Sequence, residues 1–364
     1  MIDSVRVKAF KSFRSAEISL SRLTVLTGLN NSGKSSLIQA IRMCLAARDS
    51  QNPYLDGYGG YGELKSRSAA IDESIAITLE INAGTTVLSM CESGYEIVRP
   101  ELLPLAQFIC ADRYGPRVQL PAMREDIAAI NVGAHGEYSA HYASILERMI
   151  VAEPLRHSDA VAHTLKHQLI RWMGEISPGI KIDFDILKKY DASQVQVDGA
   201  RPTNSGFGIS YVMPIVLCLL TMSGTMGDDD SDWRVRSWFA SLHKQGGFLL
   251  IENPEAHLHP RGQTCLGRLA ALASSCGLQV IVETHSDHFI DGIRIAVKHD
   301  PAVKDSDIAI KYFSKNRDEE TEIEEIAVLA DGRLSKWPYG FFDQMSINLR
   351  ELAKKDAKSQ VDSR

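Results

Sequence analysis

Apolar residues along this chain fall into two periods. Val5-Arg6-Val7-Lys8-Ala9-Phe10 alternates with period two, which predicts a half-exposed strand, and Ala16 to Leu20 reads as its partner. Leu23-Thr24-Val25-Leu26-Thr27 is apolar and β-branched throughout, as a strand covered on both faces must be. Ser36-Leu37-Ile38-Gln39-Ala40-Ile41-Arg42-Met43 follows with helical spacing. Ile75 to Ile81 and Thr85 to Met90 predict two more strands, joined by the turn Asn82-Ala83-Gly84, and Phe108 to Arg113 a further short segment. Asp49 to Ser66, rich in Gly, Tyr, Asn and Pro, reads as a loop or irregular hairpin. Met123 to about Met173 has helical periodicity and several histidines. It reads as a helical insertion extending toward Tyr190, with no sustained heptads and so no coiled-coil arm. Phe248-Leu249-Leu250-Ile251 and Val280-Ile281-Val282 are again continuous apolar runs, and the helix between them makes a βαβ unit. The pattern predicts an α/β fold with a mixed or parallel sheet, an N-terminal antiparallel β-layer and a helical insertion. It divides the chain into 1–122, the insertion 123–200, a second lobe 201–350 and a polar tail 351–364.

Composition changes this picture little. The 364 residues carry a formal net charge of −6, so the whole-protein field does not favour nucleic acid, and a DNA contact needs a local basic patch. None of the six cysteines forms a C-x-x-C pair and no charged-then-apolar leader opens the chain; both point to reduced thiols in cytoplasm. The longest apolar stretch, Val212 to Met222, is interrupted by Pro214 and too short to span a bilayer, so no membrane partner is expected.

The strongest chemical signal is Gly28-Leu29-Asn30-Asn31-Ser32-Gly33-Lys34-Ser35, a complete G-x-x-x-x-G-K-S phosphate loop set between a predicted strand and a predicted helix. Gly28 and Gly33 let backbone N–H groups of Asn30, Asn31, Ser32 and Ser36 turn toward phosphate oxygens. The helix start adds its positive end. Lys34 is placed to reach the terminal phosphates and Ser35 to offer its hydroxyl to Mg²⁺. The competing reading is a glycine turn that only caps a helix.

A second set of residues has the chemistry to complete such a site. Glu252 ends a buried strand, where an acid facing a phosphate loop binds Mg²⁺ directly or through water. His285, after the next buried strand, is placed to touch a terminal phosphate. Asn204-Ser205-Gly206-Phe207-Gly208-Ile209-Ser210 is a second glycine-rich turn before an apolar helix. It reads either as a plain turn or as another phosphate cradle, which in a symmetric dimer closes the neighbour's site. His257, His259, His285 and His288 lack the Cys or carboxylate spacing of a zinc set. Asp228 to Asp232 reads as a solvated acidic loop. Tyr54, Tyr58 and Tyr61 read as a packed hairpin or an interaction surface.

Taken in order, these pieces resemble the ABC-class ATPases of the RecF/SMC-related branch, and most of all the overcoming-lysogenisation-defect-type ATPases of bacterial defence systems. The residues that carry the resemblance are Ala9-Phe10-Lys11-Ser12-Phe13, Gly28 to Ser36, Gly206-Phe207-Gly208-Ile209-Ser210, Ile251 to Pro260 and Glu283 to His288. Asp331 to Pro338 with Phe341-Phe342-Asp343-Gln344 resembles the tail region of one subfamily of these ATPases. The resemblance implies an ABC-type head that binds ATP and Mg²⁺, with 1–122 and 201–350 as its two lobes. By it, Lys34 and Ser35 bind phosphate and metal, and Lys11 and Ser12 lie near adenine or phosphate. Ser205, Gly206 and Gly208 act across a homodimer or higher oligomer, Glu252 is the metal acid and His285 the switch. Ala111 to Arg113 stands near the glutamine-loop position without a glutamine, and Gln39 is a metal-side contact. The usual Asp-Glu pair reads Glu252-Asn253 here, and an amide cannot accept a proton. Either Glu255, two positions beyond Asn253, substitutes or hydrolysis is slow.

The function expected is a slowly hydrolysing ATPase switch that controls a separate effector protein, since no nuclease motif is found in the chain. Two other readings stay open: a RecF-like repair ATPase that holds DNA, and an assembly module that binds ATP without turning it over. A GTPase is disfavoured by the lack of an Asn/Thr-Lys-x-Asp motif.

Overall fold

The computed structural model describes residues 1–82, 84–98, 103–124, 130–178, 182–187, 192–197, 207–227, 232–338 and 341–354. Strands β1 (Ile2–Phe10) and β2 (Phe13–Ser19) pair antiparallel, with Val5 opposite Ile18. Strand β3 (Leu23–Gly28) leads through the glycine loop into α1 (Lys34–Arg48), and a one-turn helix α2 (Tyr61–Leu64) follows. Strands β4 (Ile75–Ile81), β5 (Gly84–Cys91) and β6 (Gly94–Val98) complete a five-stranded antiparallel sheet ordered β2-β1-β4-β5-β6. Then come β7 (Leu105–Ile109), β8 (Leu120–Pro121), α3 (Ser139–Ile145), α4 (Leu165–Ile176), β9 (Ile182–Leu187) and β10 (Ala192–Val197). The remainder is α5 (Phe207–Thr221), α6 (Trp233–Gln245), β11 (Gly247–Glu252), α7 (Pro260–Ser275), β12 (Gln279–Glu283), α8 (Asp287–His299), β13 (Ile308–Lys315), β14 (Thr321–Ala327) and α9 (Gln344–Leu352).

The second sheet is ordered β14-β13-β3-β12-β11-β7; its strands are parallel except β14 at one edge. Its central strands are apolar without interruption because both faces are covered. Phe248 and Leu250 of β11, with Ile281 of β12, enter the core between the two sheets, where Leu37, Ile38 and Ile41 of α1 meet Val5, Ile77 and Leu88. Leu249, Ile251, Val280 and Val282 point the other way, into a core shared with α3 to α8. This is the mixed α/β architecture expected from the sequence, with its antiparallel β-layer.

One segment departs from expectation. The stretch 123–200 is not a run of helices: its described part holds α3, a 3₁₀ turn at Glu153–Leu155 and α4, and β9 and β10 then form an antiparallel ribbon with β8. The period-two sequence Ile182-Asp183-Phe184-Asp185-Ile186 carries that strand signal, which the helical reading overrode. Leu165, Leu169 and Trp172 of α4 share one apolar core with Leu266 and Leu269 of α7. Strand β7 begins three residues before the predicted Phe108. Within the predicted acidic loop, Asp232 caps α6 by accepting from Arg234 N, while 228–231 lie outside the described residues. So do Ala83 of the predicted turn and 355–364 of the tail. No described helix is long and apolar enough to cross a membrane, and all six cysteines are free.

Helices α7 and α8 lie against each other at two glycines. A Cβ at Gly267 would fall on the carbonyl of Phe289, and one at Gly292 on the carbonyl of Thr264. Backbone cannot yield as a side-chain tip can. Gly292→Ala is therefore expected to lower unfolding stability by about 1–3 kcal/mol, the usual cost of overpacking. An unchanged urea midpoint would show that the two helices slide apart freely.

Candidate functional site: a phosphate loop closed by a C-terminal hairpin

Strand β3 ends at Gly28, directly beside β13. Its φ is 128°, and a Cβ there would fall on the Phe313 carbonyl oxygen. Gly33, at φ 107°, would place a Cβ 2.5 Å from Thr321 Oγ1 of β14. Asn31 sits at φ 60°, a region asparagine tolerates better than most residues. No side chain caps the first turn of α1, so its N–H groups remain available to an anion. Lys34 is 3 % exposed. Its Nζ donates to Leu29 O at 2.7 Å and Gly28 O at 3.2 Å, and lies 3.8 Å from Glu283. Burial pushes the Lys34 pKa down, and the Glu283 charge partly opposes this.

The hairpin of β13 and β14 holds the loop from the side. Thr321 N donates to Ser12 O at 3.0 Å. Its Oγ1 donates to Ser32 O at 2.9 Å and shares a 2.7 Å hydrogen bond with Ser12 Oγ. A cavity of about 810 Å³ opens here, within the range of small-molecule sites. Lys11, Ser12 and the run from Asn30 to Ser36 line it. So do residues the sequence reading missed: Lys65 and Arg67 on one side, Glu283 at the base, and Lys315 and Glu319 of the hairpin. Lys11 Nζ lies 5.1 Å from the centre of the Tyr58 ring, and burial lowers its pKa.

The acid that meets Ser35 is not Glu252. Ser35 Oγ donates to the Glu283 carboxylate, 2.8 Å from Oε2 and 3.1 Å from Oε1. The sheet order explains it: β12 is the neighbour of β3, whereas β11 is one strand further away. Glu252 and Glu283 are register partners at the ends of these strands, so the two acids stand side by side. Burial raises the pKa of both. For Glu283, Ser35 and Lys34 oppose the rise while Glu252 and Glu255 add to it. Glu252 accepts from Ala111 N at 3.1 Å. One turn beyond Ser35, Gln39 is 1 % exposed and neither of its amide atoms has a partner among the described residues. Hard oxygen donors, crowded acids and an orphaned amide fit a divalent cation.

The turn after Glu252 is fixed from three directions. Asn253 N donates to Glu283 O at 2.8 Å, and Asn253 stands at φ 44°, which favours asparagine over glutamate. Arg113, 2 % exposed, donates to Glu252 O and Asn253 O, both at 2.7 Å. Glu255 is held by Thr284 Oγ1 and His285 N, each at 2.8 Å. Sequence reasoning passed over Arg113 because it sought a glutamine there. His285 is exposed and lines a smaller cavity of about 280 Å³ with Gly28, Asn30, Tyr312, Phe341 and Phe342. Burial lowers its pKa, Lys34 adds to the drop, and Glu255 opposes it. His257 packs on Tyr211 and Phe207 of α5, with ring centroids 4.6 and 5.5 Å away, and a Cβ at Gly208 would lie 2.7 Å from its carbonyl. His259 caps α7 through Arg261 N. Ser205 and Gly206 lie outside the described residues.

Loop, strand order and acids together define a P-loop ATPase head of ABC type. The chain belongs to the AAA ATPase domain family, whose match covers residues 1–104 and 174–290. Residues 303–352, which contain the hairpin, match the family described as "Protein of unknown function (DUF3696)". No curated protein matches the chain. Among solved structures, an SMC head bound to the C-terminal winged-helix domain of ScpA is 14% identical at TM-score 0.52, covering 90% of this chain and 98% of that one. An Smc head with an extended coiled coil, bound to the C-terminal domain of ScpA derived from Pyrococcus furiosus, is 11% identical at TM-score 0.49, covering 97% and 99%. The recombination mediator protein RecF-ATPrS of the RecFOR pathway is 11% identical at TM-score 0.41, covering 89% and 98%. At such identities the likeness to the first of these is one of fold.

Because burial raises the Glu283 pKa, the folded protein binds protons more readily there than the unfolded chain does. Ionised Glu283 thus opposes folding at neutral and alkaline pH; the opposition fades as pH falls through the raised folded-state value and is gone below the unfolded carboxyl value. Glu283→Gln is expected to raise the melting temperature of the metal-free, nucleotide-free protein, more at pH 8 than at pH 5. Scanning calorimetry in EDTA reads this. Equal gains at both pH values would remove the electrostatic explanation.

Proposed function

We propose that the chain is an ATP-binding, slowly hydrolysing switch that pairs with a second copy of itself through its nucleotide sites. The carrying observation is Ser35 held to Glu283 at the base of the phosphate-loop cavity. On this reading Lys34 leaves the loop carbonyls for phosphate oxygens, and the uncapped N–H groups of α1 share that charge. Ser35 and Glu283, with Glu252 beside them, would hold Mg²⁺, which neutralises charge on the triphosphate. Glu255 is the group placed to accept a proton from water, since Asn253 is an amide. His285, beside Glu255, would face the terminal phosphate. Lys11 and Ser12 line the nucleotide side of the cavity. Ser205, Gly206 and Gly208 would complete the neighbour's site.

The division into lobes 1–122 and 201–350, insertion 123–200 and tail 351–364 belongs to this proposal, as do the cytoplasmic setting and a separate effector under the switch's control in defence against phage. DNA is the ligand of the RecF-like alternative. A non-hydrolysing assembly module is favoured by one observation, the left-handed backbone at Asn253, which suits asparagine rather than the glutamate of the usual pair.

Lys34→Ala is expected to weaken ATP binding at least tenfold, the scale of a lost charged hydrogen bond, by calorimetry. Glu255→Gln should retain binding and lose about 10²-fold or more in turnover, as for a general base. A Glu255→Gln rate equal to wild type would move the base elsewhere. Light scattering of Glu255→Gln with ATP and Mg²⁺ should show a dimer that Ser205→Arg prevents. The same mass with and without nucleotide would overturn the switch.

A further inference from the structure

A cavity of about 1060 Å³, larger than that at the phosphate loop, opens between α4, the segment before it and α7; no residue lines both. Arg156, Arg171, Arg261 and Arg268 face it, against two carboxylates, Asp159 and Glu175, among the described residues. The chain as a whole carries a net charge of −6, so this basic excess is local. Clefts focus such a field on whatever enters them.

The lining divides into fixed and unsatisfied groups. Arg268 is anchored to Asp300 at 3.1 Å, and Arg156 Nε donates to Val151 O at 3.0 Å. Glu175 is engaged by His157 Nε2 at 3.0 Å. His157 in turn stands edge-on to Trp172, with ring centroids 5.4 Å apart. The Trp172 indole is locked by donating to Leu155 O at 2.8 Å. The wall is therefore built and rigid. Arg171 and Arg261 are exposed, and their guanidinium groups meet no acceptor among the described residues.

A guanidinium presents a planar fork that matches two phosphate oxygens, and two unused forks over a prebuilt wall suit a ligand with more than one phosphate oxygen to offer. The volume is that of a small-molecule site rather than the shallow strip a duplex needs. We propose that this cavity binds a small phosphate-bearing molecule of about nucleotide size, independently of the phosphate loop. Arg261 lies in the first turn of α7, which begins directly after the turn that carries Glu252 and Glu255. A ligand held there bears on the same helix that the acid turn feeds.

Inorganic pyrophosphate is the probe, titrated calorimetrically into the full chain in EDTA. The Lys34→Ala protein, with its phosphate loop disabled, should keep one saturable site whose affinity falls as NaCl rises. Adding Arg171→Gln and Arg261→Gln should weaken that site at least tenfold, while the same pair in a wild-type loop leaves the Lys34-dependent ATP binding at the phosphate loop unchanged. Both side chains are exposed, and matching melting curves confirm that the variants fold. No saturable binding in Lys34→Ala, or binding indifferent to the arginine pair, overturns the proposal. So does a labelled 30-base-pair duplex that binds Lys34→Ala more tightly than pyrophosphate and is lost with the same two arginines, since the surface then belongs to nucleic acid.

Discussion

The site depends on one steric constraint: the backbone of the phosphate loop lies against β13 and β14 too closely to admit a Cβ. Gly28 abuts the Phe313 carbonyl, and Gly33 abuts the Thr321 hydroxyl. The two glycines are usually explained by the ligand, which needs bare N–H groups. Here the protein needs them as well, before any ligand arrives. The hairpin is thus part of the loop's shape, and Thr321, by bonding Ser32 and Ser12 together, fixes the loop to the start of β2. Removing the 303–352 segment would remove a wall of the nucleotide cavity as well as two strands of a sheet.

Charge is the second constraint. Glu252, Glu255 and Glu283 stand at adjacent strand ends, and two of them are raised by burial. Crowded, desolvated carboxylates oppose folding; Ser35 and Lys34 partly offset this at Glu283, and Ala111, Arg42 and Arg113 at Glu252. A divalent cation and a triphosphate would supply the missing complement. Stability is given up at the place where a ligand restores it, which is the usual sign of a binding site rather than of a structural core.

Much of this was legible in the sequence, for a physical reason in each case. Buried strands announce themselves as unbroken apolar runs, so β3, β11 and β12 were found, and the glycine loop follows from its spacing. What the chain could not reveal was neighbourhood. Glu252 and Glu283 both end apolar strands, and only the order β3-β12-β11 decides which of them meets Ser35. The hairpin was invisible for the same reason, since Lys315 and Thr321 lie almost 300 positions from the loop they border. The β9–β10 ribbon was missed because a period-two stretch was absorbed into a helical one.

Asn253 shows how backbone and chemistry meet. Read as sequence, it is a lost carboxylate. In the fold it takes φ 44°, donates its N–H to the Glu283 carbonyl and accepts from Arg113 at its own carbonyl. A glutamate at that backbone angle would be strained, and it would add a fourth carboxylate to a stretch of chain where Glu252, Glu255 and Glu283 already interact. The amide therefore ties two strand ends together without adding a fourth negative charge. A carboxylate does stand two residues on, at Glu255, where the hydroxyl of Thr284 and the N–H of His285 hold it in one orientation. The same turn is braced by Arg113, whose guanidinium lies 5.1 Å from the Tyr211 ring, and by Tyr211 packed on His257.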